Sequence, residues 1–136
     1  LEQIGAGALT LTAANTGHTG TTTIGSDLVV GNGGQLGLGL ANILGGGLLT
    51  FNSNTGVAQS GAIGGAGTLE QMGAGALTLT AANTGHTGTT TIGSDLVVGN
   101  GGQLGSGLAN ILSGGLLTFN SNTGVAQSGA IGGAGT

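Results

Sequence analysis

The chain has 136 residues, 35 of them Gly and none of them Pro, Cys, Lys or Arg; Glu2, Asp27, Glu70 and Asp95 leave a net charge of −4, with 38% hydrophobic and only 3% charged residues. This excludes a collagen-like fibre, which needs Gly at every third position with Pro, and the highly charged, weakly hydrophobic kind of disorder. It excludes nucleic acid as a partner, because neutralising phosphates needs Lys and Arg, and direct membrane insertion, because no apolar run approaches the roughly 20 residues of a spanning helix.

Gly costs about 1 kcal/mol relative to Ala inside a helix, so short strands with frequent turns are predicted. Ala8 to Ala13 alternates, with Leu9, Leu11 and Ala13 on one face and Thr10 and Thr12 on the other. Thr21 to Ile24 places Thr22 with Ile24, and Leu28 to Gly31 places Leu28 with Val30, turning Val29 outward. Asn32 to Gly47 reads as a loose stretch. Leu48 to Asn52 then puts Leu49 and Phe51 on one side and Leu48 on the other. Two weaker strands follow at Val57 to Ile63, where Gly61 marks a bulge, and at Thr68 to Met72, where Leu69, Gln71 and Met72 do not alternate cleanly.

From Leu69 the chain starts again: residues 69–136 repeat residues 1–68 without a gap, differing only by Met72 for Ile4, Ser106 for Leu38 and Ser113 for Gly45. Sixty-eight residues this poor in aromatics would struggle to enclose a core alone, so equivalent units are expected to stack. The expected architecture is all-β: a right-handed parallel β-solenoid in which inward aliphatic residues pile up and backbone groups pair between rungs about 4.8 Å apart. Repeat 1 (1–68) and repeat 2 (69–136) form one continuous solenoid, each giving two to three rungs of about three strands. The sequence after Thr68 is what would follow Thr136 in a longer array, so the chain reads either as a window onto one or as a single natural repeat that has been duplicated. The three differences predict a solvent-facing position 38, an ordinary turn at 45 and an inward apolar position 4.

The segment GAGALTLTAANTGHTGTTTIGSDLVVG, at Gly5 to Gly31 and again at Gly73 to Gly99, resembles the autotransporter-associated β-strand repeat. Ala13-Ala14-Asn15-Thr16 and Gly20-Thr21-Thr22-Thr23-Ile24 match its pattern, and Gly61 to Leu69 is similar to the glycine-rich strand that leads into its next repeat. The chain departs from the pattern at Gly17-His18 and at Ser26-Asp27. The resemblance implies a β-helix exported through the bacterial cell envelope, acting extracellularly at the cell surface as a stalk or adhesive fibre, with no catalytic motif. The absence of Cys is compatible with that location.

The chemical inventory supports no enzyme, cofactor or metal assignment, and the expected site residues are none. His18, Ser26 and Asp27 hold the residue types of a hydrolase triad, but a His in an Asn-Gly-rich turn and an Asp at a strand start account for them. His18 and His86 are copies of each other and should sit several rungs apart, too far to share a zinc ion. One Asp per repeat is too little charge for calcium, and the Thr10/Thr12 and Thr21/Thr23 pairs recur too sparsely for an ice-matching face. Pectate-lyase-like chemistry would need Arg or Lys. The expected partners are further copies, end to end or laterally, with Val29, Leu48, Val97 and Leu116 as a lateral apolar stripe, and a host or neighbouring cell surface reached through regions outside this chain. Two functional readings follow, a covalent stalk or adhesin segment and a filament of short subunits stacked through uncapped rungs.

Overall fold

A computed structural model describes all 136 residues and contains no helix. Its strands in chain order are β1 (Glu2–Gln3), β2 (Leu9–Leu11), β3 (Thr22–Ile24), β4 (Asp27–Val30), β5 (Ala41–Ile43), β6 (Leu48–Phe51), β7 (Val57–Gln59) and β8 (Ile63–Gly65). Beyond them come β9 (Thr68–Gln71), β10 (Leu77–Leu79), β11 (Thr90–Ile92), β12 (Asp95–Val98), β13 (Ala109–Ile111), β14 (Leu116–Phe119) and β15 (Ile131–Gly133). Every pairing is parallel, and partners lie about one coil apart, from 19 residues between Thr22 and Ala41 to 22 between Ala41 and Ile63. The chain winds as a β-solenoid of about six turns.

Three sheets form the sides of one column. The first face runs β1-β3-β5-β8, the second β2-β4-β6-β9-β11-β13-β15, and the third β7-β10-β12-β14. A single cluster of 19 buried residues fills the space between them. On the second face Leu9, Leu28, Leu49, Leu69 and Thr90 stack in register, and beside them Leu11, Val30, Phe51, Gln71 and Ile92. Alternation decides which residues enter: in β4, Leu28 and Val30 are fully buried while Asp27 is exposed and Val29 half-buried.

Equivalent strands of the two repeats lie on different faces. β1 and β3 are on the first face, whereas their copies, within β9 and at β11, are on the second; β2 and β4 are on the second, and their copies β10 and β12 on the third. Sixty-eight residues therefore make three and a third turns, just beyond the upper end of the two to three rungs expected, and each repeat turns the pattern by one face. At about 4.8 Å per rung, a repeat rises about 16 Å. The junction is continuous, since β9 straddles it and pairs with β6 below and β11 above.

Several local expectations change. The stretch from Asn32 to Gly47 contains β5, whose Ala41 and Ile43 point inward around Asn42. Val57 to Ile63 divides into β7 and the start of β8, with the chain turning at Gly61 against the Gly39 carbonyl. Ile4 is 68% exposed and Met72 45%, so that pair is outward, resting against Gly25 and Gly93 at corners. Leu38 and Ser106 are exposed, and Gly45 has open space around it, as expected.

Candidate functional site

No group of three or more His, Asp or Glu side chains gathers in the fold. His18 lies in the turn between β2 and β3, while Ser26 and Asp27 stand at the start of β4, and no hydrogen bond joins them. The two histidines have different surroundings. His86 is fully buried, paired through its backbone with Gly65, and neither ring nitrogen has a hydrogen-bond partner. Burial pushes its pKa below the ordinary histidine value, with the Thr89 and Gly65 backbone working weakly the other way. The same Asn-Gly-rich turn is enclosed only in the second repeat, because His86 has a coil beneath it, at Gly65, as well as above, at Ser106.

The interior also takes polar side chains that bind its turns. Gln71 is buried and donates through Nε2 to the carbonyls of Gly73 and Gly75, at 3.0 and 2.8 Å. Gln59 donates likewise to Gly61 and Gly37. Asn83 spans two rungs: its Oδ1 accepts the Ile63 N–H at 2.7 Å and its Nδ2 donates to the Gln103 carbonyl at 2.7 Å. Buried amides of this kind satisfy backbone groups that the glycine-rich corners leave unpaired. The inward Gln shares the parity of Leu69 in its strand, which was the signal available in the sequence.

The lateral surface carries no continuous apolar stripe. Val29 and Leu48 lie on the second face, Val97 and Leu116 on the third. Val29 is flanked along the column by Thr10 and Thr50, Leu48 by Asp27 and Thr68, and Val97 by Thr78 and Thr118. The one-face offset between repeats breaks up a stripe that an integral number of turns would have aligned.

The concave surfaces lie at the two ends of the column. One is a groove of about 270 Å³ lined by Phe119, Ser121, Thr123, Val125 and Gln127; the other, of similar size, is lined by Leu1, Leu11, Asn15, His18 and Leu36. Their copies in the middle of the column are covered: Phe119 is 40% exposed where Phe51 is fully buried, and Leu1 is 47% exposed where Leu69 is 1%. The end grooves are the core of the solenoid seen in cross-section. Comparison with known protein families, with characterised proteins and with solved structures finds no match to this chain.

Proposed function

We propose that the chain is a rigid, non-catalytic segment of a longer autotransporter-like protein, standing outside a bacterial cell as a stalk or fibre. The observation that carries this reading is the unbroken parallel stack across the repeat junction, where β6 pairs with β9 and β7 with β10. Each added repeat then lengthens the rod without a hinge. The lack of Cys, Lys and Arg and the resemblance of Gly5 to Gly31 to passenger repeats support the location. Displayed behind a secretion signal and an outer-membrane barrel, arrays of two, four and six repeats should be accessible to protease added to intact cells. Their purified rods should lengthen by about 16 Å per repeat at constant width. Retention inside the cell would overturn the location, and a width that grows with repeat number would overturn the stalk.

A second reading, a self-assembling filament of stacked solenoid units, is favoured by the internal junction, where the last rungs of one repeat pair in register with the first rungs of a near-identical one. A rung left uncovered would offer unpaired N–H and C=O groups, and the repeat contains no Lys or Pro to block pairing.

A further inference from the structure

The geometry points to Asn32 and Asn100 as sites of self-modification, each converted by the nitrogen of the following glycine and by water into aspartate and isoaspartate, so that every repeat carries a slow chemical clock on its surface. The inference goes beyond the stalk and filament readings and depends on neither.

Such a reaction needs a side-chain carboxamide beside an accessible, unhindered main-chain nitrogen. Asn-Gly occurs once in each repeat, at Asn32-Gly33 and at Asn100-Gly101. The fold itself requires that pairing. Gly31 to Gly34 make the turn that follows β4, closed by the Gly34 N–H on the Gly31 carbonyl at 2.9 Å, and Gly33 in its third place has φ 77°, a conformation that disfavours any side chain. The copy closes in the same way, with Gly102 on Gly99 at 2.9 Å and Gly101 at φ 79°. Asn32, Gly33, Asn100 and Gly101 are all exposed, and the N–H groups of Gly33 and Gly101 have no acceptor. The nitrogen that must attack is uncommitted and unshielded in both repeats.

The carbonyl to be attacked is held by the next rung. Asn32 Oδ1 accepts the Asn54 N–H at 2.7 Å, and Asn100 Oδ1 accepts the Asn122 N–H at 2.6 Å. A fixed donor on that oxygen stabilises the negative charge that develops there as Cγ becomes tetrahedral. The other asparagines of the first repeat lack this combination. Asn15 and Asn42 precede the β-branched Thr16 and Ile43, Ser53 after Asn52 is buried, and Thr55 after Asn54 donates its N–H to Ser53 Oγ.

The steps balance with water alone. The Gly33 nitrogen loses its proton to solvent and bonds to Asn32 Cγ; the Cγ–Nδ2 bond breaks, and Nδ2 takes a proton from solvent and leaves as ammonia. Water then opens the succinimide. Cleavage of the new N–Cγ bond gives aspartate, and cleavage between the same nitrogen and the main-chain carbonyl gives isoaspartate, whose main chain runs through Cβ and Cγ. Either product adds a negative charge per repeat to a chain that has only four acids. Isoaspartate also inserts a carbon into a corner without slack, since a Cβ on Gly34 would already overlap the Leu11 carbonyl oxygen of the coil below. That product loosens the coil, whereas aspartate leaves it wound.

The parent chain, kept folded in mildly alkaline buffer, should move towards the acidic end of an isoelectric-focusing gel in two steps. Fragmentation mass spectrometry should place the new acids at positions 32 and 100, and enzymatic methylation specific for isoaspartate should label both. Asn32→Gln, whose longer side chain would have to close a larger ring, should leave one step, and Asn32→Gln combined with Asn100→Gln should leave none. A synthetic peptide of residues 29–36 sets the scale, and the folded chain should convert at least as fast. Acids that appear first at Asn15, Asn42, Asn52 or Asn54, or a folded chain that converts more slowly than the peptide, would overturn the inference; site mapping in the parent chain decides this even if a Gln variant fails to fold.

Discussion

His86 lies in the interior with both ring nitrogens unbonded, and the segments against it, β8 below and Gly105-Ser106 above, carry no titratable group. Its pKa is lowered in the folded chain, so below the unfolded value of 6.5 the unfolded state binds a proton that the native state refuses. The stability this group permits is complete above that value and is lost as pH falls through it, at about 1.4 kcal/mol per pH unit until the native side chain is itself protonated. Thermal melts between pH 8 and 5 should show a falling midpoint, and His86→Leu should flatten the fall. An unchanged slope in the variant would remove His86 as its source. Glycines separate in the same way. A methyl on Gly88 would overlap the Gly67 carbonyl oxygen, and one on Gly107 the Gly88 oxygen, whereas Gly45 has nothing within 4 Å. Gly88→Ala should cost about 1–3 kcal/mol in denaturant unfolding, and Gly45→Ala less than about 0.5.

The strands legible in the sequence were those whose alternation is uninterrupted. Leu28 with Val30, Leu49 with Phe51 and Thr22 with Ile24 all point inward, so period two alone identified their buried faces. β5 was hidden because Ala41 and Ile43 flank a polar Asn42 inside a glycine-rich stretch, and three residues are too short for a pattern. Position 4 misled because apolar identity was taken for inwardness; Ile4 and Met72 sit at corners, where an aliphatic side chain lies over a bare glycine. The face assignment has an energetic counterpart in β4. Leu28→Ala should cost about 2–5 kcal/mol, while Val29→Thr, between Thr10 and Thr50, should change stability by less than about 0.5. Equal costs for the two, read from urea midpoints, would contradict this strand's orientation.

At the scale of the molecule, the near-perfect repeat announced a stack but not its pitch. Sixty-eight residues divide plausibly into three turns of about 23 or into three and a third of about 20, and only the register of the sheets decides between them. That fraction has consequences for the surface: it distributes each outward side chain of the repeat over successive faces, so no apolar stripe and no regular Thr ladder accumulates along one side. The end grooves were equally invisible in composition, because the same Phe and Leu are core in one copy and exposed in the other. The central claim, a parallel coil of about 20 residues that returns a repeat to the next face, is most directly tested by electron spin resonance of labelled pairs in frozen solution. Labels at Thr50 and Glu70, paired on neighbouring rungs, should show strong dipolar broadening, and labels at the equivalent positions Thr50 and Thr118, on the second and third faces, far less. An unbroadened Thr50–Glu70 pair would contradict the coil and with it the fold described.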